Sequence, residues 1–438
     1  MKKSLIVFLF VATIMFGACG QSQGDDSVTE ETAIKESEEV VEESETQNDL
    51  DEENSTIAED AEESEEMVLA EPEIFTEKCT DTMDYNLQVE ALRPEDVWTL
   101  GNHKVYFGQF EGNPVVYRIL PPSPDTQTIA DNKECLFLDC DSVLLPKEYD
   151  ADNKKNEGQT KRQNEWKGSD LEEWLNGEEV YGNSSMFSKI EKDAIVSTEL
   201  AEKSEAYSTG KWTYQDFAAT NYIFMLSAAE ANQLYAGNAE RAKTGSNISW
   251  WMRSSFAEAG QGAGAIHADG HLCNNSVKNF SNGVCPAMNI EVSKILFASC
   301  QKGEVEEGES TIWKLTMSDP DKFVTLADGQ TLMREDGENG SIITIPYTYT
   351  GNDVTQISVM ITDVEYSMAE ARVLFYGALQ GVDILSFSGT GTFVLPAELE
   401  AQICGTDYHA YIIAEDVNAD KKTDYASEPC EIMIPVAE

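Results

Sequence analysis

Positive charge is scarce in this chain: 30 lysines and arginines stand against 80 aspartates and glutamates, leaving a formal net charge of −50 over 438 residues. That balance excludes nucleic acid as a partner, because phosphate binding needs a basic patch and no Lys/Arg cluster occurs. An anionic lipid surface is disfavoured for the same reason. Histidine is rarer still, at four, which leaves few general bases. There is no Gly-x-Ser-x-Gly elbow, no Walker loop and no HExxH frame, so nucleophilic, phosphoryl-transfer and zinc-protease chemistry have no support. Paired carboxylates for glycan hydrolysis stay invisible among so many acids, because their separation is spatial. Long hydrophobic runs are lacking as well. Residues 5–15 are apolar almost without a break, but a membrane-spanning helix needs about 20 such residues.

That short apolar run follows Lys2 and Lys3 and leads through Gly17 and Ala18 to Cys19, with polar Gln21 and Ser22 directly after. A charged start, a short apolar core and small residues at the exit match an export signal that is cleaved, over residues 1–18. The exit resembles the lipobox of bacterial lipoproteins, with Phe16 where leucine is usual. The resemblance implies that the Cys19 sulfur is lipidated and becomes the mature N-terminus, tethering an extracytoplasmic protein to the membrane. Residues 19–75 are then dominated by Glu, Asp, Ser and Thr, with Lys35 the one cation between Gln21 and Glu73. Such a stretch buries too little apolar surface to offset the entropy of ordering it, so it reads as a disordered acidic linker. Between an anchor and folded domains it is a stalk; alone it would be a solubilising tail.

About 360 residues remain, enough for two domains. The charged, glycine-containing stretch at 301–309 suggests a boundary, placing one domain at 95–300 and another at 309–438. In the first, apolar runs at 104–110 and 115–120 flank Glu111-Gly112-Asn113-Pro114, a hairpin composition. Ser169 with Glu172, Ser188 with Glu191, and Ser227 with Glu230 have the spacing of helix capping boxes. Residues 222–226 form a buried strand feeding the third. In the second domain, runs at 342–349, 356–362, 372–376, 391–395, 408–414 and 431–435 read as strand after strand, the pattern of a β-sandwich.

Several motifs recur in order over about 200 residues: Tyr106-Phe107-Gly108, Trp166-Lys167-Gly168-Ser169-Asp170-Leu171 with Trp174-Leu175-Asn176, Phe224-Met225-Leu226-Ser227 with Glu230, Trp250-Trp251-Met252-Arg253-Ser254, and Gly283-Val284-Cys285-Pro286-Ala287. The ordered set resembles an uncharacterised domain family of bacterial surface proteins, itself similar to formylglycine-generating enzymes and C-type lectin-like domains. The last motif departs from that family's pattern, which has arginine in place of Cys285; a buried ion pair made by that arginine would be absent or rebuilt. The closing segment Thr423-Asp424-Tyr425-Ala426-Ser427 resembles segments that accompany the same family. What the resemblance implies is an α+β lectin-like domain followed by an immunoglobulin-like all-β sandwich. No activity follows, because these folds host catalysis and binding alike. Neither the oxidase's reactive cysteines nor the lectins' Glu-Pro-Asn or Gln-Pro-Asp loop maps onto this chain.

Four groups of residues carry candidate chemistry. Asp416, Asn418, Asp420 and Asp424 have the alternating oxygens of a calcium loop, although Lys421 and Ser427 replace its glycine and its bidentate glutamate; an acidic hairpin turn is the other reading. His267, Asp269 and His271 are zinc-type ligands that the Asp269-Gly270 step folds together, with a solvent-exposed turn as the alternative. Adjacent Trp250 and Trp251 point to opposite faces of a strand, so an exposed one would stack on a sugar or an apolar patch, flanked by Arg253; packing is the competing reading. Apart from Cys19 there are eight cysteines, and Cys404 with Cys430, Cys273 with Cys285, and Cys135 with Cys140 are candidate disulfides or else thiols. The sequence therefore describes a membrane-anchored surface binding or adhesion protein whose ligand is a glycan or a protein. No cofactor is expected beyond calcium at the acidic loop. A divergent extracytoplasmic enzyme of formylglycine-generating-like or glycan-processing type is the alternative.

Overall fold

The computed structural model describes residues 87–90, 104–123, 125–128, 134–151, 163–243, 247–301, 312–368, 371–403, 408–418 and 421–435. The export signal, Cys19, the acidic stalk, Asp420 and Cys404 lie outside the described residues.

Strands dominate, and they are arranged in several sheets. The described helices are only four to seven residues long. The chain is mostly β, with short helices between the strands. The cause is local. Ser188 and Ser227 each start a helix with a complete capping box, but extended backbone at Ile195 and non-helical chain after Leu234 stop it within two turns. At the first expected box the Ser169 hydroxyl accepts from Glu172 N, whereas the Glu172 carboxylate reaches Gly168 N instead of Ser169.

The expected hairpin is present. Lys104–Phe110 pairs with Asn113–Leu120, and Glu111 and Gly112 both take the left-handed backbone (φ 51° and 81°) that a two-residue turn between twisted strands requires. The sheet continues antiparallel through Cys135–Cys140 and Ala287–Glu291 to Ile223–Phe224. Its core is built from Phe107, Tyr117, Trp166, Phe224, Trp250 and Trp251, among others.

Strand Ile312–Ser318 joins the two halves of the chain. Its Ile312 and Trp313 pair in parallel with Lys104 and Val105, and its Thr316, Met317 and Ser318 pair in parallel with Asp424, Tyr425 and Ala426. Antiparallel to it runs Ile295–Gln301. Trp313, Leu315 and Met317 sit in the N-terminal core, while Leu296 and Phe297 cover Met360, Tyr411 and Ile413 of the C-terminal half. The two sequence patterns on either side of 301–309 thus meet in one sheet, although each half builds a core of its own. One sheet of 14 strands runs through both halves.

In the C-terminal half, two sheets share a second core. His409–Asp416, Gln356–Thr362 and Val373–Ala378 belong to the large sheet; Gly340–Thr350 with Phe323–Leu326, Met333–Gly337 and Ser388–Pro396 form the other. His409–Asp416 is buried almost throughout because both its faces are covered. Ala410, Ile412 and Ala414 face the shared core, and Tyr411 and Ile413 face Phe297. The strands expected at 342–349, 356–362 and 391–395 all lie within observed ones. Among the described residues no helix is long and apolar enough to cross a membrane.

Candidate functional site

Trp250 and Trp251 do point to opposite faces, but both faces are covered and each indole has 0% exposure. Trp250 Nε1 donates to Arg241 O at 3.1 Å, and Trp251 Nε1 donates to Lys147 O at 2.7 Å. The sugar-stacking expectation at these residues is corrected: both are core. Arg253 is core as well. Its Nη1 donates to Met225 O at 2.9 Å and to the Glu230 carboxylate, and Asp216 lies near enough to reinforce the charge.

The acidic loop is closed by a lysine. Lys314 Nζ lies 2.8 Å from Asp424 Oδ1 and donates to Asn418 O at 2.7 Å, while Asn418 N donates to Asp424 Oδ1 at 2.6 Å. An ammonium thus draws on the oxygens that calcium would take, and Lys421 supplies the left-handed turn (φ 68°) in place of glycine. At Asn418 and Asp424 the geometry is that of a lysine-closed turn, in line with the acidic-hairpin reading of this loop; Asp420 lies outside the described residues.

Burial pushes the Asp424 carboxyl up to about 7 against the pull of Lys314. With a folded-state value above the unfolded one of about 3.9, the folded chain binds more protons between the two. The stability contributed by this group is therefore full below about pH 4 and is lost as pH rises towards 7. Urea melts at pH 5 and pH 8 are expected to show a smaller pH-dependent loss in Asp424→Asn than in the unmodified chain. An equal loss in both would reject this assignment.

Beside this turn lies a cleft of about 150 Å³ whose walls include Ser184, Ser185, Lys422 and Thr423. The capping glutamate Glu191 also lines it and ties the two halves together. Its carboxylate accepts from Ser188 N (2.8 Å), Gly108 N (3.1 Å) and Thr423 Oγ1 (2.7 Å), and Tyr425 OH donates to Ser188 Oγ at 2.8 Å. Gly108 has φ +66°, and a Cβ there would meet the Phe187 ring at 2.7 Å, so the Tyr106-Phe107-Gly108 motif ends in glycine for packing reasons. Sequence spacing identified Ser188 and Glu191 as a helix cap only. The one signal of their second role was the separate resemblance carried by 423–427.

The histidine pair is brought together. Strands Gly262–Ile266 and Leu272–Ser276 pair in register up to Ile266 and Leu272, so His267 and His271 face each other across the turn. His267 N donates to His271 O at 2.9 Å and Gly270 N donates to His267 O at 2.7 Å. The two imidazoles stack with centroids 4.6 Å apart. Both Nδ1 atoms converge on Asp269 Oδ1, His267 at 3.0 Å and His271 closer. Slight burial opposes ionisation of Asp269, but the His271 amide and both imidazoles hold its carboxyl below the ordinary range.

Two proposed disulfides are excluded by thiols: Cys140 and Cys285 are both unbridged and buried. Cys135 and Cys140 stand at opposite ends of one strand, about 17 Å apart at 3.3 Å per residue. Cys430 is likewise a thiol, and its suggested partner Cys404 lies outside the described residues. Next to Cys285, where the resemblance led us to expect arginine, stands a buried ion pair between Lys243 and Asp139.

Part of this constellation falls within a span that a family model recognises. No curated protein and no solved structure matches the chain. A family model described as a domain of unknown function (DUF6273) matches residues 140–292, the span that holds the tryptophan motifs, the capping glutamates and the histidine hairpin but not Tyr106-Phe107-Gly108 or the C-terminal half.

Proposed function

We propose that the chain is a lipid-anchored extracytoplasmic protein that presents a lectin-like domain and an immunoglobulin-like sandwich on an acidic stalk, to bind a surface glycan or protein. The observation that carries this reading is the order of segments along the sequence: basic start, short apolar core, Cys19, a run of acids with one lysine, and only then foldable sequence. A stretched, self-repelling linker has a mechanical use between an anchor and a head. The head suits presentation, since one sheet continues through both halves and loads on either are shared. Two sheets over one core, with antiparallel neighbours, support the immunoglobulin-like part.

Mass spectrometry of the mature N-terminus is expected to find a diacylated Cys19. An unmodified terminus cut elsewhere would sink the anchored reading. For the binding half, the mature chain is applied to an array of glycans and cell-wall fragments, with retention on at least one class as the expected result. Silence across the array would count against glycan recognition.

A further inference from the structure

We propose that His267, Asp269 and His271 form a binding site for a divalent transition-metal ion of the zinc class on the tip of their hairpin. The donor set is two imidazole nitrogens and one carboxylate oxygen. Zinc takes these at about 2.0–2.2 Å, so tetrahedral ligand atoms lie about 3.3 Å from one another. Here the three ligand atoms already lie within 4.8 Å of each other, and the His267 Nδ1 to Asp269 Oδ1 separation is 3.0 Å. Small side-chain rotations close the remaining distance. Imidazole favours zinc, copper and nickel over the hard, oxygen-seeking calcium and magnesium.

The backbone beneath the triad is held in place by its surroundings. Gly270 takes a left-handed φ of +86°, and a Cβ there would stand 1.7 Å from Asn238 O, so the tip is seated directly on the segment Asn238–Arg241. Arg241 Nε donates to Gly270 O at 2.8 Å, and the Arg241 carbonyl is in turn held by the buried Trp250 indole. The turn is thus fixed to the core, and less ordering entropy opposes metal capture than in a free loop. The ligands themselves remain open. The side chains of His267, Asp269 and His271 are 51%, 64% and 49% exposed, which gives an ion access and leaves a fourth position for water or for a donor from another molecule.

Without metal, a single carboxylate oxygen can accept from both Nδ1–H groups through its two lone pairs, and that is the arrangement the site replaces. When a metal takes Nδ1, each neutral ring carries its single proton on Nε2 instead, so the tautomer changes and no net proton is released. The inference is independent of the proposed anchoring and of any glycan.

Isothermal titration of the full mature chain, without a polyhistidine tag and stripped with chelator, provides the test. Zn2+ is expected to bind at one site per chain, and Co2+ to give the visible absorption bands of a four-coordinate site. Ca2+ and Mg2+ are expected to give no such signal. His267→Ala/His271→Ala should abolish the site, Asp269→Asn should weaken it at least tenfold, and His409→Ala should leave it unchanged. Because the three side chains are solvent-exposed, the metal-free melting curves of all variants should coincide, which separates lost ligation from lost fold. Zn2+ binding that persists in the double variant, or weak multi-site binding alone, would assign the metal to the acidic stalk and overturn the proposal.

Discussion

Replacing Arg253 with alanine is expected to destabilise the chain by about 3–5 kcal/mol at neutral pH, because it strands a carboxylate in the interior. Glu230 is fully committed there. It accepts from Ser227 N and Ser123 Oγ at 2.8 Å each, and from Arg253. Burial alone would raise its pKa, but the Arg253 guanidinium, together with the hydrogen bonds from Ser227 N and Ser123 Oγ, holds it below the ordinary carboxylate range. The sign of the pH dependence follows. A depressed folded-state value contributes stability above the unfolded value of about 4.3, and that contribution is lost as pH falls through the folded value. Arg253→Ala removes the cation and leaves desolvation in charge, so the same carboxyl should then prefer its proton. Guanidinium melts should show the loss shrinking from pH 7.5 towards pH 4.5. Arg253→Lys is not expected to rescue, because one guanidinium both bonds Met225 O and faces Glu230. A uniform loss at both pH values would mean that Arg253 acts through packing alone.

Much of the local structure was legible in the sequence for reasons these residues illustrate. The Glu111-Gly112 turn, the three serine caps and the alternating C-terminal runs are short-range signals, written within a few neighbouring positions. What each glutamate does beyond its cap was not legible. Glu172 also accepts from Asn221 Nδ2 at 2.8 Å, Glu191 reaches Thr423, and Glu230 reaches Arg253. A side chain carries no mark of a partner 23 or 232 positions away. The tryptophan pair failed for a related reason. Alternation shows that two faces exist, and only the tertiary fold shows that both are covered. Strand Gly262–Ile266 escaped because glycine and alanine have low strand propensity; it exists because Gly264 fits where a Cβ would meet Met252 Cε and Ser254 O at 2.9 Å.

The candidate sites divide along the same line. His267, Asp269 and His271 are gathered by a turn signal that lies between them, so the sequence could place them together. The acidic loop looked like a calcium site because its competitor, Lys314, lies 104 residues before Asn418. Spacing within a loop reports which oxygens converge. It does not report which cation the rest of the fold has already delivered to them.

Lys243 is the second residue whose loss should be felt throughout the N-terminal half, and nothing in its neighbouring sequence announced it. Its ammonium is completely buried. It donates to the Asp139 carboxylate, to Cys140 O at 2.6 Å and towards Tyr235 OH at 3.4 Å, and it lies 4.7 Å from the Trp250 ring centroid. Burial opposes the charge, but Asp139 and Tyr235 outweigh it and raise the lysine pKa above its ordinary value. Burial also pushes the Cys140 thiol up to about 12 and the Cys285 thiol well above its usual range, so neither competes as an anion. One buried cation thus balances one buried carboxylate, Asp139, on the strand that links Asn113–Leu120 to Ala287–Glu291. Lys243→Met keeps volume and removes charge, leaving Asp139 stranded, and should cost about 3–5 kcal/mol; Lys243→Met with Asp139→Leu should recover most of it. Added salt should barely change either value, since a buried pair is poorly screened. Thiol labelling gives a local readout. Cys140 and Cys285 should resist a water-soluble reagent in the unmodified chain and react in Lys243→Met under conditions where the C-terminal half remains folded. Equal resistance in both would mean that apolar packing alone orders this strand, and that the ion pair specifies nothing there.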